Sequence, residues 1–210
     1  MSATPDLRLI VITDLQLAGT RNIVDIVRAA VAAGAPAVQV RDKRATAREL
    51  VSLARTLLPI TSATHALLFI NDRLDVALAT GADGVHLGPR DIPVSAARRI
   101  APLPFLIGCS TDDPVRARQL ERDGASYIGC GAVFGTATKD VAGERIGVDR
   151  LDEVARAVAI PVVGIGGVNE ANIGSIMRTH AAGAAVVSAV MAADDPGTAT
   201  RALLRQLGPG

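Results

Sequence analysis

Aromatic residues are scarce in this sequence of 210 residues, which contains one Tyr, three Phe and no Trp. Proteins that bind nucleic acids commonly stack bases on aromatic side chains and carry a clustered excess of positive charge. The net charge here is only +1. The sequence therefore argues against a nucleic-acid partner.

Cysteine is also scarce, and no apolar run approaches the roughly 20 residues that a membrane span requires. The two cysteines, Cys109 and Cys130, lie in apolar runs and lack the spacing of a metal site or redox motif. We expect free, buried thiols in a reducing compartment. The N-terminal run Leu9–Ile12 is short and indicates a first strand rather than a signal peptide. These features predict a cytoplasmic protein without a membrane partner.

What the sequence has in abundance is Val, Ile, Leu and Ala, the composition of buried parallel strands covered by helices. Short β-branched runs alternate with longer amphipathic stretches. The predicted strands are Leu9–Thr13, Ala37–Arg41, Leu67–Asn71, Gly84–Leu87, Phe105–Cys109, Tyr127–Cys130, Pro161–Ile165 and Ala185–Ser188. The predicted helices are Ile23–Ala33, Ala47–Leu58, Arg73–Ala79, Val94–Ala101, Pro114–Arg122, Val148–Val158, Glu170–Thr179 and Pro196–Leu207. Eight such repeats predict a single (β/α)8 TIM barrel over residues 1–210, in preference to an open sheet.

A weak internal repeat supports this alternation. Gly-Ala pairs begin at Gly34, Gly81, Gly124 and Gly183, before predicted strands two, four, six and eight. Glycine directly after a helix can adopt the left-handed conformation that ends it. We therefore expect each of the four glycines to end a helix.

Cations follow the second predicted strand. In this fold the substrate-binding groups lie at the C-terminal ends of the strands. Gln39 lies within the strand, and Arg41 and Lys43 leave it on the way to the barrel mouth. A guanidinium fork and an ammonium one residue apart suit a multiply charged phosphate. A solvated loop is the alternative for this pair.

Acidic residues follow the third and fourth predicted strands. Asn71 and Asp72 end strand three, and Asp91 follows strand four by a few residues. Asn71 and Asp91 could each cap the next helix, and Asp72 could complement the dipole of the helix that follows it. Two carboxylates on adjacent strands, facing cations, are also the ligand set that Mg²⁺ takes together with substrate phosphates. The pair therefore predicts a Mg²⁺ site.

Hydroxyl groups and glycines follow the last three strands. The long loop after strand six carries Thr136, Thr138 and Lys139, a combination that suits an anion. After strand seven come adjacent glycines, which allow backbone amides to approach a phosphate at a helix N-terminus. The residues predicted for this second, mostly neutral phosphate site are Gly166, Gly167, Val187 and Ser188. A tight turn is the alternative explanation of the two glycines.

These residues together resemble the thiamine phosphate synthase family over essentially the whole chain. The motifs that carry the resemblance are Val38–Lys43, Ile70–Arg73, Gly84–Gly88 with Asp91, Ile107–Ser110, Thr136–Lys139 and Ile165–Gly167. The resemblance implies a transferase that joins 4-amino-2-methyl-5-hydroxymethylpyrimidine diphosphate to 4-methyl-5-(2-hydroxyethyl)thiazole phosphate. The products are thiamine phosphate and pyrophosphate, and the implied mechanism is dissociative. The implied partners are phosphorylated small molecules, and a homo-oligomer is left open.

The resemblance also implies a role for each candidate residue. By this resemblance, Asp72 and Asp91 are expected to be metal ligands for Mg²⁺. The residues expected to be catalytic are Lys139, Ser110 and Arg41. The implied substrate-binding residues are Gln39, Arg41, Lys43, Asn71, Ser110, Thr136, Thr138, Lys139, Gly166, Gly167, Val187 and Ser188. Gln39 and Ser110 are expected at the pyrimidine, and the glycines with Ser188 at the thiazole phosphate.

The sequence departs from the family pattern at several positions. Pro89 and Arg90 replace a Gln-acid pair, Asp112 stands where a His is common, and Gly135 replaces a Pro. A thiazole tautomerase-like relative on the same barrel is therefore kept as the alternative. An aldolase or sugar-phosphate isomerase would need a Schiff-base Lys within a strand or an acid–base pair, and neither is evident.

Overall fold

The computed structural model describes residues 5–135 and 145–208, where eight parallel strands close into a barrel. The strands are β1 (Leu9–Ile12), β2 (Ala37–Val40), β3 (Leu67–Asn71), β4 (Gly84–Leu87), β5 (Leu106–Ser110), β6 (Tyr127–Cys130), β7 (Val162–Ile165) and β8 (Gly183–Val186). Each strand pairs with the next along the chain, and β8 pairs with β1. The prediction of a (β/α)8 barrel is confirmed.

Helices cover the outside of the barrel. They are α1 (Leu15–Ala18), α2 (Ile23–Ala32), α3 (Ala47–Ser62), α4 (Leu74–Thr80), α5 (Val94–Ile100), α6 (Pro114–Arg122), α7 (Gly147–Ala157), α8 (Ile173–Ile176), α9 (Ser188–Met191) and α10 (Pro196–Leu207). The sequence did not predict α1 and α9, which have four residues each and directly follow β1 and β8. Within the described ranges, no helix is both long enough and apolar enough to cross a membrane.

Two of the scarce aromatic side chains fill the barrel interior. Phe69 and Tyr127 are fully buried, and their rings pack edge to face with centroids 5.4 Å apart. Glycines in the neighbouring strands provide the space for them. A Cβ atom at Gly84 would lie 2.8 Å from the Phe69 ring, and one at Gly108 would lie 2.1 Å from the Tyr127 ring. The sequence therefore needs glycine inside β4 and β5, where it would otherwise weaken a strand.

The prediction of the last strand was wrong by two residues. The strand β8 begins at Gly183 rather than Ala185, so Gly183 does not end a helix. A Cβ atom there would lie 2.3 Å from the carbonyl oxygen of Leu7, and only glycine permits this approach. The predicted helix Glu170–Thr179 is correspondingly reduced to α8.

The other three glycines of the internal repeat follow helices as predicted. Gly34, Gly81 and Gly124 have φ angles of 102°, 74° and 100°, which lie in the region that favours glycine. The left-handed conformation turns the chain from each helix towards the next strand.

Both cysteines are free and buried. Burial raises the pKa of the Cys109 thiol to about 12 and that of the Cys130 thiol to about 12. Because the thiolate is the nucleophilic form, neither side chain is suited to covalent catalysis at neutral pH.

Candidate functional site

Two carboxylates meet where β3 and β4 end. Asp72 has a left-handed φ of 63°, and its amide donates to the carbonyl oxygen of His86 at 2.8 Å. The Asp91 carboxylate accepts the Gly88 amide at 2.6 Å and so closes the turn after β4. Burial and the neighbouring Asp91 carboxyl raise the pKa of Asp72. The two aspartates therefore lie in contact, an arrangement that a cation would stabilise.

Neither aspartate caps a helix. The residue that precedes α4 is Arg73 and the one that precedes α5 is Pro93, and neither position has a capping side-chain hydrogen bond. The capping alternative for Asn71 and Asp91 was therefore wrong. Asp72 holds a backbone conformation that costs energy for a residue with a Cβ atom, and such conformations concentrate at functional sites.

Arg41 is fixed at the end of β2 by a link to β1. Its backbone amide donates to the Thr13 hydroxyl oxygen at 2.9 Å. The Thr13 hydroxyl in turn donates to the backbone carbonyl oxygen of Arg41 at 3.3 Å. The guanidinium lies 3.9 Å from the Asp14 carboxylate, and the Arg41 side chain is only 22% exposed. Lys43 is exposed. The solvated-loop alternative therefore describes Lys43 but not Arg41. The pKa of Asp72 is raised by burial and by Asp91, and the positive charges of Lys43 and Arg41 offset only part of that rise.

A chain of four polar side chains crosses the barrel mouth. Gln39 hydrogen-bonds the Tyr127 hydroxyl, which lies 2.9 Å from Nδ1 of His86. Nε2 of His86 lies 2.9 Å from the Ser110 hydroxyl. Burial raises the pKa of the Tyr127 phenol, which stays protonated at neutral pH. The chain fixes the orientation of the Gln39 and Ser110 side chains.

The sequence interpretation did not include His86 and Tyr127 among the site residues. Both occupy strands of otherwise apolar residues, and a polar ring at such a position is the signal that would have found them. Their side chains reach each other because β4 and β6 flank β5, where Gly108 pairs with both residues and leaves the space between them open.

Tyr127→Phe tests whether this chain of hydrogen bonds stabilises the mouth. The substitution removes the hydroxyl that contacts Nδ1 of His86 and the buried Gln39 amide, so the free energy of unfolding should fall by about 1–3 kcal/mol. Urea denaturation measures the change. As a control, Thr56→Val removes an exposed hydroxyl that donates to the Ser52 carbonyl oxygen and should change stability by less than about 0.5 kcal/mol. Equal effects of the two substitutions would contradict the role of Tyr127.

The two glycines after β7 support the neighbouring loop rather than a helix. Gly166 and Gly167 have φ angles of 100° and 65°. A Cβ atom at Gly167 would lie 2.3 Å from the Gly135 carbonyl oxygen, and the Phe134 amide donates to the Gly166 carbonyl oxygen at 2.9 Å. The predicted helix N-terminus was wrong, because α8 begins only at Ile173. The glycines allow the loop after β6 to lie against the loop after β7.

The remaining predicted residues occupy the same end of the barrel or fall outside the described ranges. Val187 and Ser188 lie beyond β8, and Ser188 is the first residue of α9. Thr136, Thr138 and Lys139 lie outside the described residues. The described chain approaches that loop at Gly135, which lies against Gly167.

Two adjoining cavities open at this end of the barrel. The cavity in the mouth is lined by Ile10, Ile12, Gln39, Arg41, Asn71, His86, Ser110, Tyr127, Gly129, Ala132, Val163, Ile165, Gly166, Gly167, Val168, Ala185, Val187 and Ser188. A groove on the rim is lined by Asp14, Leu15, Gln16, Leu17, Arg41, Asp42, Lys43, Arg44, Gly135, Gly167, Val168, Asn169, Ser188 and Ala189. Arg41, Gly167, Val168 and Ser188 line both. The cationic and the glycine-rich regions therefore border one continuous surface.

Comparison with known families and relatives identifies the chain. A family model described as thiamine monophosphate synthase matches residues 9–190. The thiamine-phosphate synthase of Roseiflexus castenholzii is 50% identical over 193 residues, which cover 92% of this chain and 85% of that protein. The thiamine-phosphate synthase of Methanoculleus marisnigri is 44% identical over 195 residues, covering 93% of this chain and 92% of that protein.

Solved structures agree with these relatives. The thiamine phosphate pyrophosphorylase from Pyrococcus furiosus has a TM-score of 0.89 and 42% identity, covering 97% of this chain and 96% of that one. A 3-hexulose-6-phosphate synthase has a TM-score of 0.72 at 17% identity, covering 96% of this chain and 100% of that one, and shares the fold alone. The family match over residues 9–190 includes all eight strands of the barrel and every candidate site residue. The chain therefore belongs to the thiamine monophosphate synthase family.

Proposed function

We propose that this chain joins 4-amino-2-methyl-5-hydroxymethylpyrimidine diphosphate to 4-methyl-5-(2-hydroxyethyl)thiazole phosphate, a transferase reaction of thiamine biosynthesis. The observation that carries the proposal is the continuous surface between the cations Arg41 and Lys43, which lie near the carboxylate pair, and a region of glycine and serine. One region suits a diphosphate with its metal, and the other suits a monophosphate. A coupling reaction needs both anions bound side by side.

In this proposal, Asp72 and Asp91 bind Mg²⁺. Their carboxylates lie in contact, and burial together with Asp91 raises the pKa of Asp72, so a cation between them would relieve an unfavourable arrangement. The described residues contain no cluster of three or more His, Cys, Asp or Glu side chains suited to a metal. Mg²⁺ does not need such a cluster, because it binds through one or two carboxylates with water and substrate phosphates as further ligands. The pair of Asp72 and Asp91 therefore suffices. When bound, it neutralises charge on the departing pyrophosphate.

The cations and Asn71 bind the diphosphate in this proposal. Arg41 is held by Thr13 and Asp14, which limits the freedom that its guanidinium must lose on binding. Lys43 is exposed and supplies a mobile charge at the rim. Lys139, from the loop beyond Gly135, is proposed to complete the set on the basis of the sequence motif alone.

Gln39 and Ser110 are proposed to orient the pyrimidine. Both line the mouth cavity, and both are held by the chain of hydrogen bonds through Tyr127 and His86. The side chain of Gln39 is 3% exposed, so its amide is poorly hydrated and its hydrogen bonds to a ligand are favoured. Gly166, Gly167, Val187 and Ser188 border the opposite side, where we place the thiazole phosphate, with Thr136 and Thr138 at the junction.

The chemistry that we propose is dissociative. The bond between the pyrimidine methylene carbon and the diphosphate oxygen breaks, and its electron pair leaves with pyrophosphate. The aminopyrimidine stabilises the resulting cation until the lone pair of the thiazole nitrogen forms the new C–N bond. No protein nucleophile takes part, in keeping with the buried, protonated thiols of Cys109 and Cys130. The residues act by position and charge.

The thiazole tautomerase-like alternative has no support from the comparisons, because the relatives described above are named as synthases. Of the positions that depart from the family pattern, Pro89, Arg90 and Asp112 are exposed, and they line neither the mouth cavity nor the rim groove. Gly135 lies against Gly167. A homo-oligomer and a cytoplasmic location stay predictions.

The direct test is to incubate the purified protein with both substrates and Mg²⁺ and to measure thiamine phosphate and pyrophosphate. We expect the two products in equal amounts, with none formed when either substrate is left out. Pyrophosphate release that needs only the pyrimidine substrate and yields no thiamine phosphate would contradict the proposal.

A further inference from the structure

Arg21 joins two short helices at the rim of the barrel. It lies between α1 and α2, and its side chain is half-buried. Nε donates to the carbonyl oxygen of Ala18 at 3.2 Å, and one terminal nitrogen donates to that of Leu17 at 3.3 Å. The terminal nitrogens also donate to the carbonyl oxygens of Met191 and Ala193. One guanidinium thus connects the C-terminal ends of α1 and α9.

These helices cannot form stably without such contacts. Each has four residues, and in an isolated helix of that length the hydrogen bonds do not offset the conformational entropy lost in forming the first turn. The last carbonyl groups of a helix have no partner within it, and an arginine near the C-terminus satisfies them. Only an arginine has the planar set of donors needed for several carbonyl oxygens at once.

The opposite ends of the same helices border the rim groove. Ser188 begins α9 and lines both the groove and the mouth cavity. Asp14 precedes α1, caps it through the Gln16 and Leu17 amides, and lies 3.9 Å from the Arg41 guanidinium. Because α1 has this cap of its own, its position depends less on Arg21 than that of α9 does.

We infer that Arg21 is a positioning residue that sets the affinity for the thiazole phosphate by holding α9, and with it Ser188, against α1. The inference rests on the proposed function, which places that phosphate at Ser188. The long-range contacts of Arg21 go to α9, whereas those to α1 are made within four residues along the chain. Loss of the guanidinium therefore moves the monophosphate side of the groove more than the diphosphate side.

Arg21→Ala and Arg21→Lys test the inference through the ratio of two affinities. We expect the Kd and KM for the thiazole phosphate to rise roughly tenfold, as when one hydrogen bond to a charged group is displaced. The KM for the pyrimidine diphosphate should stay within about twofold of the wild-type value. Arg21→Lys should behave like Arg21→Ala, because one ammonium group cannot span both helices.

Arg98→Ala is the matched control. Arg98 is also half-buried and donates to the carbonyl oxygens of Ala101, Phe105 and Gly124, but these precede β5 and β6 at the opposite end of the barrel. Its loss should lower Tm without changing the ratio of the two KM values. An unchanged ratio in both Arg21 variants, or an equal change in Arg98→Ala, would overturn the inference.

The binding measurement separates this inference from the proposed function. Calorimetry with the thiazole phosphate needs no turnover. A wild-type protein that binds it without making thiamine phosphate would contradict the proposed function, while the Kd of the variants would still decide the role of Arg21. A wild-type protein that makes thiamine phosphate, with both Arg21 variants unaffected, would contradict the role of Arg21 alone.

Discussion

Changing either Asp72 or Asp91 to Asn should slow the synthesis of thiamine phosphate by on the order of 10²-fold, the loss typical when one group that stabilises developing charge is removed. The Mg²⁺ concentration for half-maximal rate should rise at least tenfold. At other metal sites, even the loss of a residue that only hydrogen-bonds a metal ligand lowers metal affinity by about tenfold or more. Asparagine is a fair probe at Asp72, because it tolerates the left-handed φ of 63° found there. Initial rates across a Mg²⁺ titration give both quantities.

Asp75→Asn is the control for these substitutions. Asp75 lies in the first turn of α4, close in sequence to Asp72, but its exposed carboxylate pairs with Arg73. Its removal should leave the Mg²⁺ dependence unchanged, since surface ion pairs contribute little. If Asp72→Asn and Asp91→Asn also kept the wild-type Mg²⁺ dependence, the metal assignment would be wrong.

Gly167→Ala should reduce activity by on the order of 10²-fold, because small displacements of positioned groups have effects of that size. The added Cβ atom would lie 2.3 Å from the Gly135 carbonyl oxygen and 2.9 Å from Cβ of Phe134. It would therefore displace the chain that leads into the loop of Thr136, Thr138 and Lys139. From the sequence alone, a larger effect on the thiazole phosphate than on the diphosphate would be expected, whereas the contact with Gly135 predicts a rise in KM for both substrates.

Gly81→Ala separates backbone strain from this displacement. Gly81 has a φ of 74°, similar to the 65° of Gly167, but a Cβ atom there would have no atom within 4 Å. Both substitutions should cost about 1–2 kcal/mol from the left-handed conformation. Only Gly167→Ala should also lose activity, measured as kcat and KM at a temperature where both variants are folded. If the two variants had equal activity, the contact between Gly167 and Gly135 would not explain the loss of activity in Gly167→Ala.

The fold was predictable because its signal is local and repeated. The runs Leu67–Asn71, Gly84–Leu87 and Tyr127–Cys130 have the same bounds in the sequence prediction and in the structure. The error at β8 has a non-local cause, since Gly183 is required by its approach to Leu7, far away along the chain. The helices α1 and α9 were missed for a related reason: each is too short for a periodic pattern, and the Arg21 contacts that connect them join residues far apart along the chain.

The site was predictable where chemistry lies directly at a strand end. Arg41, Asn71, Asp72 and Asp91 follow their strands and reach the same rim. The chain from Gln39 through Tyr127 and His86 to Ser110 was not found, because it depends on how side chains from four different strands meet inside the barrel. The contact of Gly167 with Gly135 also joins loops that are distant in sequence, so the two glycines were assigned to a helix N-terminus.

The most direct test of the central claim, that two phosphate sites of different character share one surface, is the Mg²⁺ dependence of binding at each. Calorimetric titrations of the pyrimidine diphosphate and of the thiazole phosphate would be made with Mg²⁺ and with a chelator. We expect the diphosphate to bind on the order of 10²-fold more weakly without Mg²⁺, the scale of charge stabilisation that a bound metal supplies. The affinity of the thiazole phosphate should be unchanged. An equal Mg²⁺ dependence for both ligands, or none for either, would contradict the claim.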